Sequence, residues 1–245
     1  DCINVTYGDV VGAYDTIYAV DFKNSDNAII AANDIIANGF TYIYGIIISG
    51  DNFTIESNNI TVAGDYYANG IDIEGPATGS VVDNKLYVDA NTSAYAIYSG
   101  MNGANVSAIY SNNTVFASAY NVFGFSLGDV ESVIVDNKLL LIGNYTTGIA
   151  SIVPNLTVSS NVLLLISSEQ GNESLWEGFG VESVGIKVID GNATIVENNI
   201  ITQGKGVSLT GGSATLYENN ISVAGHEDAD AYAIYAKDLK SLNVI

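Results

Sequence analysis

Arginine is absent from this chain of 245 residues, and only seven lysines stand against 27 acidic side chains. The formal net charge at pH 7 is −20, which repels phosphate backbones and anionic lipid headgroups. No apolar run reaches the ~18 residues of a membrane-spanning helix. The sequence therefore predicts no nucleic-acid partner, no binding to membrane surfaces and no membrane insertion.

Sulfur and imidazole groups are almost missing as well. Cys2 is the only cysteine, which leaves no internal disulfide and no cysteine-based zinc site. We interpret Cys2 as a bystander thiol, with a cross-link to another chain as the alternative. The only histidine, His226, neighbours Glu227, Asp228 and Asp230, and we interpret this segment as a polar surface turn rather than a cation-binding loop. We expect no metal and no cofactor.

The composition that remains is typical of a folded β-protein. Apolar residues make up 48% of the chain and charged residues 14%, so a substantial core is expected. Ile, Val, Tyr, Thr, Asn and Gly are prominent, and no stretch repeats apolar residues at helical spacing for three turns. We predict one all-β domain spanning residues 1–245.

One motif, apolar-x-apolar-x-x-Asn-x-apolar, occurs eight times, as in FTIESNNI and ATLYENNI. The positions three before and two after the Asn are apolar in every copy. Successive copies are 21 to 37 residues apart, which predicts one coil of a stacked repeat per step. The repeated Asn positions are Asn33, Asn58, Asn84, Asn113, Asn137, Asn161, Asn198 and Asn219.

The two apolar positions of the motif are five residues apart, an odd number that a regular strand would place on opposite faces. A bend at or beside the Asn restores the phase, because Asn tolerates left-handed backbone and bonds to neighbouring backbone. Stacked coils would then align the Asn side chains in a hydrogen-bonded ladder. We predict eight buried and satisfied amides.

A second strand signal follows each Asn, with Gly or Ala before alternating residues, as in YGIIIS and FGFSLG. We expect strands to begin at these small residues, Gly45, Gly70, Ala96, Gly124, Gly148, Gly185, Gly206 and Ala233. The pattern predicts a right-handed parallel β-helix, or solenoid, of about nine coils of roughly 25 residues with three short strands each. Residues 1–26 fit a degenerate first coil. A leucine-rich repeat is the rival fold, but the residues after the Asn lack its Leu-spaced helical segment.

The coils as a whole resemble the right-handed parallel β-helix superfamily, with its pectate-lyase-like scaffold. The Asn-, Ile- and Tyr-rich coils without Arg are most similar to adhesin-like surface proteins of methanogenic archaea. That resemblance implies display at the cell exterior and a role in attachment.

Eleven N-x-S/T sequons occur in the chain. The strand motif itself explains those at Asn59, Asn112 and Asn220. The remaining eight are the glycosylation candidates, and glycosylation would require a secretory route. These candidates are Asn4, Asn52, Asn91, Asn105, Asn144, Asn155, Asn172 and Asn192.

No catalytic constellation is recognised, and we predict that the chain is not an enzyme. Polysaccharide lyases usually need Arg or Lys beside the acidic sugar, and hydrolases need two or three converging carboxylates. The motifs built around paired Asp, His-Gly and Arg-Ile-Lys are absent. Glu197 and Glu218 fall on adjacent coils, and we interpret them as solvated charges rather than a catalytic pair.

A loop insertion at about 167–181 interrupts the repeat and carries the only tryptophan, Trp176, among Glu169, Glu173 and Glu177. Trp176 is a candidate ligand contact because exposed amphipathic aromatics favour recognition, although it could instead cover an apolar side wall. The sixteen tyrosines could add an aromatic stripe on the outside or fill the core.

These features favour a non-enzymatic, extracellular or cell-surface, structural or adhesive protein that is N-glycosylated. A glycan-binding module using the Trp176 insertion is the alternative, and a carbohydrate-active enzyme is the third candidate. The expected partners are further copies joined end to end and host or cell-surface glycans. Because the chain begins without Met or a signal-peptide pattern, it is either a mature secreted form or a segment of a longer protein.

Overall fold

The computed structural model describes residues 2–6, 16–100, 105–128, 130–167, 183–225 and 230–245, with the side chains of Cys2 and residues 4–6 left undescribed. All regular structure in these ranges is β. The strands are β1 Cys2–Thr6, β2 Thr16–Phe22, β3 Ile29–Ala31, β4 Asp34–Gly39, β5 Tyr42–Glu56, β6 Asn59–Gly64, β7 Tyr67–Val82, β8 Lys85–Ala90, β9 Ser93–Ser99, β10 Val106–Ser111, β11 Thr114–Ser118, β12 Asn121–Leu127, β13 Glu131–Val135, β14 Lys138–Gly143, β15 Tyr145–Ser151, β16 Asn155–Ser159, β17 Val162–Ser167, β18 Ser183–Ile189, β19 Asn192–Val196, β20 Asn199–Thr202, β21 Lys205–Thr210, β22 Ser213–Tyr217, β23 Asn220–Val223, β24 Tyr232–Lys237 and β25 Ser241–Val244.

Every strand pairs in parallel with its counterpart in the next coil. The strands that follow the repeated Asn form a nine-stranded sheet in the order β1-β4-β6-β8-β11-β14-β17-β20-β23. The second and third strands of each coil form two further walls, which are joined into one 16-stranded sheet because β5 and β7 run through the corner between them. The result is a parallel β-helix of about eight turns, and the all-β fold with three strands per coil is confirmed. A second strand stands where a leucine-rich repeat needs a helical segment, so that rival is wrong.

The core is built from the two apolar columns of the repeat. Ile35, Ile60 and Ile200 represent the column after the Asn, and each is fully buried. The column before the Asn is also buried, even where Tyr110 replaces the usual aliphatic residue. The hydroxyl group of Tyr110 lies 2.9 Å from Ser99 Oγ, which satisfies the phenol inside the core.

The phase break lies one residue before each repeated Asn. There the backbone φ is between 52° and 57° in all eight copies. Our physical reason for the bend was wrong, because only Asn112 among these residues is an asparagine. Two others are Asp, which tolerates this conformation, but the Ala, Ser and Glu residues disfavour left-handed backbone, so the stacking of the coils imposes it there. The residues are Ala32, Ser57, Asp83, Asn112, Asp136, Ser160, Glu197 and Glu218.

The repeated asparagines form a continuous ladder through the stack. In each step, the side-chain Nδ2 and the backbone N–H of one Asn both donate to Oδ1 of the next, at 2.9 to 3.1 Å. Six of the eight are buried, whereas the terminal members Asn33 and Asn219 are half-buried. The expectation of eight buried amides is therefore wrong at the two ends, because each of these residues lacks a full coil on one side.

The small residues of the second strand lie inside that strand rather than at its start. Strand β15, for example, begins at Tyr145, and Gly148 is its fourth residue. A Cβ atom on Gly148 would lie 2.4 Å from the carbonyl oxygen of Gly185 in the next coil. Close approach of stacked backbones, not strand initiation, is the reason for the small side chains.

The structure shows where the irregular first coil pairs and where the chain enters and leaves the loop insertion. The expected first coil contributes β1, which pairs with β4, and β2, which pairs with β5. The chain enters the insertion after β17 and returns at β18. Trp176 and the other residues of 168–182 lie outside the described residues, as does the His226 segment 226–229.

Candidate ligand-binding face

The outward side of the second strands carries a row of contacting aromatic rings that crosses five coils. Ring centroids are 5.2 Å apart for Tyr18 and Tyr44, 5.7 Å for Tyr44 and Tyr67, and 5.3 Å for Tyr67 and Tyr95. Tyr95 and Phe123 end the row at 4.8 Å and an interplanar angle of 5°. We call these five side chains the aromatic row. Of the two roles foreseen for the tyrosines, these take the outward one, while Tyr110 fills the core.

A carboxylate lies against this row. Asp72 projects outward from β7, pairs in register with Tyr98 of the next coil, and is only 9% exposed. Burial, reinforced by the charge of Glu74 and opposed by Lys23, raises the pKa of Asp72 to about 7. Lys23 Nζ forms an ion pair with Glu74 at 3.2 Å. The face therefore holds a carboxyl group that titrates near neutral pH.

The tyrosine hydroxyl groups near Asp72 also have raised pKa values. Burial and the charge of Asp72 raise the pKa of Tyr44 to about 12. Burial raises the pKa of Tyr67 well above its usual range. Their hydroxyl groups thus remain protonated donors at any physiological pH.

Asn69 lies in the same register row, between Tyr44 and Tyr95. Its side chain is completely buried. Neither its Oδ1 nor its Nδ2 has a hydrogen-bond partner among the described residues. An unpaired buried amide is costly, so this position is a weak point beneath the aromatic row.

A groove of about 460 Å³ opens where the aromatic row ends. Phe123 stacks on Tyr95 on one side, and the next residue of its register row is the smaller Thr147, followed by Val184. The outer ring face of Phe123 is therefore turned toward the groove. Lys187 also lines the groove and lies four register steps along the row that starts at Asp72.

The sequon asparagines lie on the outside of the helix, in contrast to the ladder asparagines. Of the eight candidates, Asn52, Asn91, Asn105, Asn155 and Asn192 are exposed and Asn144 is half-buried. Asn155 and Asn192 are register neighbours at the start of the third strands, beside a shallow groove of about 310 Å³. The side chain of Asn4 and all of Asn172 lie outside the described atoms.

The other acidic candidates remain separate from the aromatic row. Glu197 and Glu218 are exposed at the bends before the ladder, and Glu197 accepts a hydrogen bond from Ser160 Oγ at 3.2 Å. Within the described residues, no group of three His, Cys, Asp or Glu side chains is arranged to hold a metal ion. No helix long and apolar enough to cross a membrane occurs in the same ranges.

Sequence reasoning missed Asp72, Phe123 and Lys187 as members of one face. The alternation in NGIDIE places Asp72 and Glu74 on the same side of a strand, and that signal was available. Which side chains of neighbouring coils cover Asp72 depends on the cross-coil register, and coil lengths of 21 to 37 residues obscure that register.

Comparisons of the chain with protein families, with curated proteins and with solved structures gave no match. The structure alone assigns the chain to the class of parallel β-helices. Any functional proposal has to be argued from the residues of this chain.

Proposed function

We propose that this chain is a non-enzymatic, N-glycosylated structural or adhesive protein of the cell surface, similar in kind to the adhesin-like proteins of methanogenic archaea. The observation that carries the proposal is the separation of two asparagine populations. The ladder asparagines lie inside, while five sequon asparagines are exposed at several coils, where an attached glycan would point to solvent. A stacked core and an acidic exterior suit a rod that presents its faces outside the cell.

Surface labelling of intact producing cells tests this proposal. A membrane-impermeant amine reagent should label lysines such as Lys138, which is exposed on the nine-stranded sheet. A cytoplasmic protein of the same cells is the control and should stay unlabelled. Labelling of this chain only after lysis would contradict a surface location.

Glycan binding is the second candidate, and the aromatic row is the observation that favours it. Tyrosine combines a large apolar ring with a polar hydroxyl group, which suits ligands with one apolar face and several hydroxyl groups. The candidate contact surface is this aromatic row on the second strands. The sequence analysis had named Trp176 instead, which lies outside the described residues.

A catalytic role remains the third candidate because Asp72 has the raised pKa of a general acid and lies near Glu74. Two features argue against it. Asp72 is only 9% exposed, and Glu74 is ion-paired with Lys23, so neither carboxyl group is free to meet a substrate.

End-to-end association is part of the proposal, with support from the last coil. Strand β25 pairs with β22, and its Leu242 and Val244 are 42% and 55% exposed although their register partners Ala214 and Leu216 are buried. Apolar side chains on the outer side of a coil offer a contact surface for a further coil, whether of the same chain or of a second copy. Electron microscopy tests this, since stacked copies would give fibres with an axial repeat of about 40 Å at ~4.8 Å per coil. Isolated particles without end-to-end contacts would contradict it.

A further inference from the structure

We propose that the groove beyond Phe123 binds a saccharide that carries a carboxylate, with the sugar ring on Phe123 and the carboxylate beside Lys187. This inference rests on the proposed surface role and names the ligand chemistry for it.

The first support is the shape of the groove. Its volume of about 460 Å³ lies within the range of small-ligand sites. The ring of Phe123 presents a flat apolar face because its other face is covered by Tyr95 at 4.8 Å. The residues that follow Phe123 in its register row, Thr147 and Val184, are too short to cover this face. A flat ring with an open face fits the apolar side of a pyranose.

The second support is the polar lining. Tyr98, Asn121, Ser126 and Thr147 all contribute to the groove wall. Hydroxyl groups both donate and accept hydrogen bonds, and amides provide both functions on separate atoms. This mixture suits the hydroxyl groups of a sugar, which also donate and accept.

The third support is charge. The chain has 27 acidic side chains and seven lysines, yet the fourteen described residues that line the groove include Lys187 and no Asp or Glu. Lys187 is half-buried and makes no ion pair within the described part of the chain. A half-buried lysine with no counter-charge among the described residues favours an anionic ligand and disfavours an amine.

The positions of Asp72 and Lys187 also predict how the ligand is oriented in the groove. Asp72 and Lys187 lie on one register row, separated by Tyr98, Ser126 and Ala150. Four coil steps of ~4.8 Å place the two charges about 19 Å apart. A carboxylate would therefore lie at the Lys187 end, far from the acidic end of the face.

Two oligosaccharides that differ only in their carboxylates test the inference. The probes are a β-1,4-linked glucuronate trimer and the neutral trimer cellotriose, each titrated calorimetrically into the intact chain. The glucuronate trimer should bind about tenfold more tightly, as expected for one charge-assisted contact. Equal affinity for both trimers, or no binding of either at millimolar concentration, would overturn the inference.

Three variants locate the interaction. Lys187→Gln should remove the preference for the glucuronate trimer. Phe123→Leu should lower the affinity for both trimers by a similar factor. Lys138→Gln, on the nine-stranded sheet, is the charge-matched control and should change neither affinity. Retention of the preference in Lys187→Gln, with an unchanged circular dichroism spectrum, would contradict the assignment. A failure to bind saccharide together with surface labelling of intact cells would reject this ligand and leave the proposed function standing.

Discussion

Asn137 donates from Nδ2 to Oδ1 of Asn161 at 3.0 Å, and its backbone N–H donates to the same oxygen at 2.9 Å. One side-chain oxygen thus receives two hydrogen bonds from the preceding coil. Nδ2 of Asn137 also donates to the carbonyl oxygens of Tyr110 and Val135. Each ladder residue therefore joins adjacent coils at the point where the backbone bends.

Removal of one interior ladder amide should destabilise the fold. Asn137→Ala removes the Oδ1 that accepts from Asn113 N–H and Nδ2 and the Nδ2 that donates to the Tyr110 carbonyl, at an expected cost of about 1 to 3 kcal/mol in the free energy of unfolding. Chemical denaturation measures this. An unchanged midpoint would show that the ladder does not stabilise the stack.

Asn69→Ala is the matched control, because Asn69 is equally buried but has no described partner for its amide. It should cost clearly less than Asn137→Ala, since no hydrogen bond is lost. Equal losses in the two variants would assign the effect to side-chain volume alone.

The fold could be predicted because its information is local. The motif marks the two core columns and the ladder residue, so Ile60, Val81 and Asn84 could be assigned to the core from their own neighbours in sequence. The positive φ at Ala32 and Glu197 could not be predicted from residue type, because neither residue favours it. The aromatic row and Lys187 were equally hidden, because their contacts join residues of different coils.

The close stacking of second strands predicts a steric limit at Gly148. In Gly148→Ala the new methyl group would lie 2.4 Å from both the Gly185 carbonyl oxygen and Leu163 Cδ2. The backbones must move apart, so we expect a loss of about 1 to 3 kcal/mol. Thermal unfolding measures it. Gly225→Ala, whose nearest contact would be 3.6 Å, is the control, and a similar loss there would contradict the steric explanation.

The raised pKa of Asp72 predicts a pH-dependent stability. Between pH 4 and 7 the folded state keeps a proton on Asp72 that the unfolded state releases, so stability falls as pH rises. The shift from 3.8 to about 7 corresponds to about 4 kcal/mol. Asp72→Asn abolishes this ionisation, so the variant should be more stable than the parent at pH 8 and similar to it at pH 4.

Asp65→Asn controls for the loss of one negative charge, because Asp65 is exposed. It should follow the parent at every pH. Urea denaturation at pH 4, 6 and 8 separates the two variants. Parallel pH profiles for Asp72→Asn and the parent would show that Asp72 is ionised in the fold at neutral pH.

The non-enzymatic proposal predicts no turnover of polysaccharides. Purified chain incubated with acidic and neutral glycans should release neither reducing ends nor unsaturated products. Sustained turnover on any of these glycans would overturn the proposal. If turnover occurs and Asp72→Asn eliminates it, the carboxyl group beneath the aromatic row would be the catalytic acid.

Glycosylation of the exposed sequons is the central claim, and the peptide masses of the native protein test it most directly. Sequon-containing peptides of material from the producing cells should exceed the mass of their sequences by whole glycan units. Peptide mapping should place those glycans on exposed residues such as Asn91, Asn105 and Asn192. The buried ladder position Asn137 should be unmodified. Sequon peptides with the masses of their unmodified sequences would contradict the account of this β-helix as a glycosylated surface protein.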